Sequence, residues 1–214
     1  DEIRAAWPRL VNDPPGKKLG LALRLGLLTG ARPGEIAGLH RNELHSLDKA
    51  ERAAWIVPPE RSKNGRAHLI PLGKMARETL EAAIALLDKD EAFVFPARGG
   101  GKSITRHALS KAMADFIAGL DGSQAKNLQA DAPTPHDLRR TVATRLSSLG
   151  VTKQDRDAVL NHTPTDVGSK HYDLYKRERE KRRALNLWDG ALGRLLTPQS
   201  KVIEIAKARG STKA

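Results

Sequence analysis

Five short stretches of this 214-residue chain carry side chains that handle phosphate. Thr29-Gly30-Ala31-Arg32-Pro33-Gly34-Glu35-Ile36 sets an arginine at a break after an apolar run, and Arg61-Ser62-Lys63-Asn64-Gly65-Arg66 is a basic polar connection. His136-Asp137-Leu138-Arg139-Arg140 spaces an imidazole and a guanidinium three positions apart, Asn161-His162 follows Leu160, and His171-Tyr172-Asp173-Leu174-Tyr175 holds both tyrosines of the chain. Guanidinium groups bind phosphate oxygens bidentately and stay charged at any working pH. Imidazole, ammonium and phenol can move a proton or attack as a nucleophile. Breaking a phosphodiester without a metal needs a nucleophile, an acid for the leaving oxygen, and cations around the charge that builds in the transition state. These residue types supply all three.

Each stretch also has a plainer reading. His136 and Arg139 share a face only if the segment is helical, and a lone His-x-x-Arg is then a solvated basic face. Arg32 can pair with Glu35, and Arg139 with Asp137 or solvent. Lys63 competes with Arg61 and Arg66 for the same tip. His162 can satisfy carbonyls at a helix C-terminus. Tyr172 can be a packing residue of the last helix, with Tyr175 as its rival. Arg140 points about 100 degrees away from Arg139 round a helix, so it cannot share one phosphate with it as easily.

The elements that must hold these groups are visible in the pattern. Lys17 to Leu28 is too densely apolar for a one-faced helix, so it is expected to be buried on most sides and to end at Thr29-Gly30. The stretch from Asp1 to Leu28 reads as helix throughout. Pro33 followed by Glu35 marks a short helix that starts at Arg32. Trp55 to Val57 and His68 to Ile70 are β-prone, giving a hairpin with a basic tip. Helices are expected over Lys74–Leu87, Ile104–Ile117, His136–Leu149, Lys153–Leu160 and from about Ser169 to Leu195. Thr134-Pro135 supplies the cap of the third. Phe93 to Phe95 reads as a short buried strand or turn, and Gly119 to Pro133 as a surface loop.

Composition narrows the function. The chain has 37 Lys plus Arg against 25 Asp plus Glu, a formal charge of +12, which favours a polyanionic partner. The longest apolar run, near Leu19 to Leu28, is interrupted by Arg24 and glycines, which excludes a spanning segment. No cysteine is present, so disulfides and thiolate metal sites are excluded, and a reducing cytoplasm fits. The seven histidines show no metal-ligand spacing, and no nucleotide-binding Gly-rich loop occurs. Neither a metal nor a cofactor is expected.

Taken in order, the Arg32 segment, Lys63 in a hairpin tip, His136-Asp137-Leu138-Arg139-Arg140-Thr141, Leu160-Asn161-His162 and Tyr172 resemble the signature of tyrosine recombinases, the phage integrase family. The resemblance runs from about Leu19 to Trp188. Its ending, from His171 to Trp188, is similar to integrases of prophages and genomic islands. Asn161 departs from the family's commoner Leu-Gly-His, and the ten-residue step from His162 to Tyr172 is one longer than in familiar members.

The resemblance implies a mainly α-helical catalytic domain with a small antiparallel β-sheet, over residues 1–197, and a tail, 198–214, that docks on a neighbour through Val202 to Ile205. It implies Arg32 and Arg139 as the phosphate clamp, Lys63 as the acid for the 5′ oxygen, His136 and His162 as proton shuttle and oxygen ligand, and Tyr172 as the nucleophile. Glu35 would brace the cations, and Arg61, Arg66 and Arg140 would contact DNA. The implied partner is double-stranded DNA at attachment sites, in a bacterial cytoplasm and nucleoid. The full-length protein would act as a tetramer on paired sites. The chain itself, without upstream DNA-binding domains, would bind weakly as a monomer. A type IB topoisomerase and a DNA-binding module without catalysis are the competing expectations.

Overall fold

A computed structural model describes residues 2–13, 16–121, 123–162 and 177–197. Twelve segments order it: helices α1 (Glu2–Asn12), α2 (Lys17–Thr29) and α3 (Pro33–Ala37), strands β1 (Leu44–His45), β2 (Ala54–Val57) and β3 (His68–Pro71), then helices α4 (Lys74–Ile84), α5 (Arg106–Ala118), α6 (Ser123–Ala130), α7 (Pro135–Ser148), α8 (Lys153–Val159) and α9 (Glu178–Leu196). The expected class, mainly helical with a small antiparallel sheet, is what the chain adopts.

Helix α2 is the axis of the core. Nine of its residues, Gly20 to Leu23 and Leu25 to Thr29, are buried, because leucines at nearly every second or third position leave no polar face. Helices α1, α4, α5, α7 and α9 pack around it. Trp188 of α9 is buried and donates its indole N–H to the Leu27 carbonyl at 2.7 Å, which satisfies the ring's one polar atom. The sheet is antiparallel in the order β1-β2-β3, with Trp55 opposite Ile70 and Val57 opposite His68. Trp55 is fully buried, and its N–H meets Glu43 at 2.9 Å.

Three expectations need correction. The N-terminal stretch holds two helices, one ending at Asn12 and the next starting at Lys17 after Gly16 at φ +96°. The segment from 119 to 133 contains helix α6, which polar composition concealed; Gln129 ties it to the carbonyls of Ile117 and Leu120. The last helix begins at Glu178 rather than near Ser169, since Arg177 is left-handed at φ +47° and cannot continue a helix. Tyr172, Tyr175 and the 198–214 tail lie outside the described residues.

Candidate active site

Three loops meet where α2 ends, α3 begins and α8 ends. Gly30 closes α2 in the left-handed conformation at φ +65°, and a Cβ there would sit 3.1 Å from both Leu160 Cδ2 and Val142 Cγ1. Glycine therefore allows both the turn and the approach of α7 and α8. Two residues later Arg32, extended at φ −70° and ψ 144°, precedes α3, whose first position is Pro33.

Arg32 and Arg139 converge on the same turn. Arg32 Nη2 donates to the Asn161 carbonyl at 3.0 Å, and Arg139 Nη2 donates to the preceding carbonyl, that of Leu160. Arg139 Nη1 also donates to the Gly30 carbonyl at 2.7 Å. Arg139 is only 4% exposed. Burial, together with the neighbouring positive charge of Arg32, lowers its pKa to about 10, and Glu35 opposes that shift. It stays protonated at neutral pH.

Glu35 supplies the counter-charge. It is 2% exposed, accepts the Arg32 backbone amide at 2.9 Å with Oε2, and holds Arg32 Nη1 at 2.9 Å with Oε1. The salt bridge that offered the plain reading of Arg32 thus exists, and it aims the guanidinium at the Asn161 carbonyl. Behind Glu35 lies His68 of β3, 1% exposed. Its Nε2 faces the Val159 carbonyl at 2.9 Å, and its Nδ1 stands 3.9 Å from Glu35 Oε2. Since a carbonyl only accepts, Nε2 carries the proton and Nδ1 is bare. Burial pushes the pKa of His68 down to about 3, with Lys181, Arg139 and Arg32 adding repulsion, so the ring is neutral.

Asn161 links this centre to the hairpin tip. It is left-handed at φ +49°, a conformation asparagine tolerates. Its side-chain amide pairs with that of Asn64, Nδ2 of Asn64 reaching Oδ1 of Asn161 at 3.0 Å, and its own Nδ2 reaches Ser62 Oγ at 3.0 Å. Lys63, exposed between Ser62 and Asn64, is thereby carried beside the arginine pair.

The remaining candidates are placed as follows. His136, exposed at the start of α7, lines a surface recess with Pro33, Arg106, His107 and Ser110, adjoining the start of α3. Although His136 and Arg139 share a helix face, the packing of the Gly30 and Leu160 turns covers Arg139 and leaves His136 exposed. His162 follows Asn161; its Nδ1 meets the Asp157 carboxylate at 3.0 Å, not a helix-end carbonyl as its plainer reading had it, while its backbone amide meets the Asp157 carbonyl at 2.9 Å. On the far side of the 163–176 segment, Arg177 returns to the same helix, donating to Asp155 at 2.9 Å and Gln154 at 3.1 Å. Arg140 is exposed and pairs with Asp137 at 2.9 Å, while Arg66 is exposed at the tip. Arg61 turns inward instead: it grips both oxygens of Glu43 at 2.7 and 2.8 Å and the Glu35 carbonyl at 3.1 Å.

Sequence reasoning did not single out His68, Asn64 or Ser62. Their contacts lie 91 to 99 positions away, and only the strand's alternation and the polarity of the tip hinted at them. Among the described residues no group of three or more His, Asp or Glu is arranged to hold a metal ion, and no helix is long and apolar enough to cross a membrane.

Residues 3–177 match the phage integrase family. The chain belongs to that family. It is 30% identical over 128 residues to tyrosine recombinase XerC of Erythrobacter litoralis, an alignment covering 59% of this chain and 39% of that protein. To tyrosine recombinase XerC of Corynebacterium efficiens it is 29% identical over 144 residues, 66% of this chain and 41% of the other. It thus spans about two fifths of these relatives. Among solved structures, the integrase of mycobacterium phage Brujita superposes with a TM-score of 0.60 at 17% identity, over 87% of this chain and 56% of that one. The lambda integrase catalytic core superposes with a TM-score of 0.54 at 22% identity, over 78% of this chain and 91% of that core. The expected fold is therefore that of tyrosine recombinase catalytic domains.

Proposed function

We propose that this chain is the catalytic domain of a site-specific DNA recombinase that cleaves and rejoins strands through a 3′-phosphotyrosyl intermediate. The observation that carries the reading is the convergence of Arg32 and Arg139 on the consecutive carbonyls of Leu160 and Asn161, just ahead of the segment that holds Tyr172. Each η nitrogen has two hydrogens. A hydrogen bond to a carbonyl holds the group and leaves a second N–H for a phosphate oxygen.

In this mechanism the scissile phosphate sits on Arg32 and Arg139, with His162 donating to a non-bridging oxygen. Tyr172 attacks phosphorus while His136 takes the phenol proton. The bond to the 5′ oxygen breaks as Lys63 protonates it. A 5′ hydroxyl from the partner duplex then attacks the phosphotyrosine and releases Tyr172. Glu35 supplies the counter-charge and aims Arg32, and Arg66 and Arg140, with Arg61 supporting the base of the tip, add cationic surface for the DNA backbone. Acting as a tetramer on paired attachment sites, the full-length enzyme integrates or excises a mobile element in the bacterial cytoplasm. Structures of similar fold support DNA as partner: a Tn1549 transposon integrase in complex with circular intermediate DNA, and a XerH recombinase bound to its difH substrate. The residues 198–214 are assigned to docking between protomers.

The test is a duplex nicked next to the cleavage point, incubated with the full-length protein and with its Tyr172→Phe and Tyr175→Phe variants. A covalent adduct on a denaturing gel that is lost only with Tyr172→Phe supports the reading. Loss only with Tyr175→Phe moves the nucleophile. No adduct with the parent protein leaves a non-catalytic DNA-binding module. Products joined between two duplexes, rather than relaxation of one, separate a recombinase from a type IB topoisomerase.

A further inference from the structure

We infer that Asn161 is a positioning residue for strand cleavage: its side chain is a latch that fixes the Lys63 tip against the turn held by the two arginines. The inference rests on the assignment of Lys63 as the acid for the leaving oxygen.

The residues on either side of Lys63 are both gripped by Asn161. Ser62, only 7% exposed, accepts Asn161 Nδ2 at 3.0 Å. Asn64 Nδ2 donates to Asn161 Oδ1 at 3.0 Å and reaches its main-chain carbonyl at 3.4 Å, and Asn161 Nδ2 also reaches Asn64 Oδ1 at 3.3 Å. Ser62 Oγ closes the set on Asn64 Oδ1 at 2.9 Å. Lys63 itself is exposed. Its backbone is thus pinned at both neighbours while its ammonium remains free to act, which is how an acid on a loop is kept within reach of a leaving oxygen.

The same carbonyl that Asn64 touches, that of Asn161, receives Arg32. Phosphate clamp and acid therefore share one anchor. A glycine at this position would keep the left-handed turn and the carbonyl but lose the latch, which makes Asn161→Gly a clean probe.

The experiment compares single-turnover cleavage by full-length parent, Asn161→Gly, Asn64→Ala and Lys63→Ala proteins on two substrates. One has the natural 5′ oxygen at the break, and the other has sulfur there. A thiolate leaves without needing a proton, so the sulfur substrate bypasses the acid. General acids contribute roughly 10²–10⁴-fold, and loss of positioning alone is expected to slow Asn161→Gly and Asn64→Ala about tenfold on oxygen. On sulfur both should return to within about twofold of the parent, as should Lys63→Ala if the ammonium is the acid. Asn161→Gly at the parent rate on oxygen overturns the latch. So does equal slowing of Asn161→Gly on both substrates, which would mean that the side chain supports the arginines instead. If Lys63→Ala stays slow on sulfur, the assignment of the acid falls, and the latch falls with it.

Discussion

Helices α3 and α7 begin in the same way and end up in different roles. Each has proline first and an acidic residue third. In each, the carboxylate accepts the amide of the residue before the helix at 2.9 Å, Glu35 from Arg32 and Asp137 from Thr134. Glu35 is buried and holds the Arg32 guanidinium beside Arg139 and His68. Asp137 lies at the surface, where it accepts the Thr134 hydroxyl at 2.8 Å and Arg140 at 2.9 Å. One capping device is part of the arginine centre and the other secures a helix end. What separates them is the packing of α2, α8 and β3 around the first.

The comparison breaks most visibly in activity. Arg32→Ala should slow strand cleavage by about 10²–10³-fold, the usual loss when one donor to a transition-state oxyanion is removed. Arg140→Ala, at the α7 start, should cleave at about the parent rate at saturating DNA and lower the slope of log K against log salt by about 1. Equal loss in both would erase the distinction between the two helix starts.

Stability gives the next contrast. Glu35→Gln removes a buried counter-charge from two cations and should cost about 3–5 kcal/mol in urea unfolding. His68 gives a contrast that depends on pH: its lowered pKa means that the unfolded chain binds its proton first as pH falls. Stability is then complete above the ordinary histidine value and declines toward pH 3, by up to about 1.4 kcal/mol per pH unit. Urea midpoints from pH 7 to 4 should show that slope, and His68→Gln should remove it.

The smallest effect belongs to Asp137→Asn, about 1 kcal/mol for a cap residue. The Thr134 amide and hydroxyl and Arg140 hold the Asp137 carboxyl below its ordinary value. Its contribution is therefore present above the ordinary aspartate pKa and lost as pH falls through the lowered one. The gap between parent and variant should close in acid.

The elements of the site were legible because they rest on local rules. Proline and an acid after Arg32, Thr134-Pro135 before His136, and Gly30 after a leucine run each specify their own turn. The partners were not legible in the same way. Nothing near His68 announces that its ring meets Val159 and Glu35, and nothing near Asn64 announces Asn161, because these contacts are made only when β3 and α8 pack. Arg61 shows the limit in reverse: its place in a basic tip suggested DNA, and Glu43, eighteen positions earlier, takes its guanidinium. Helix α6 escaped notice because its residues are polar on most sides and only tertiary contacts reveal it.

Both ends of the 163–176 segment are tied to α8, His162 on Asp157 and Arg177 on Asp155. Tyr172, the proposed nucleophile, is therefore carried on a stretch of chain whose two anchors share one helix. Tyr172 is five peptide links from Arg177, so their α-carbons lie within about 18 Å at roughly 3.5 Å per residue. From Asp155 to Leu160, whose carbonyl holds Arg139, the helix advances only about 8 Å. For the proposed mechanism, this tether favours a tyrosine and an arginine pair drawn from the same chain.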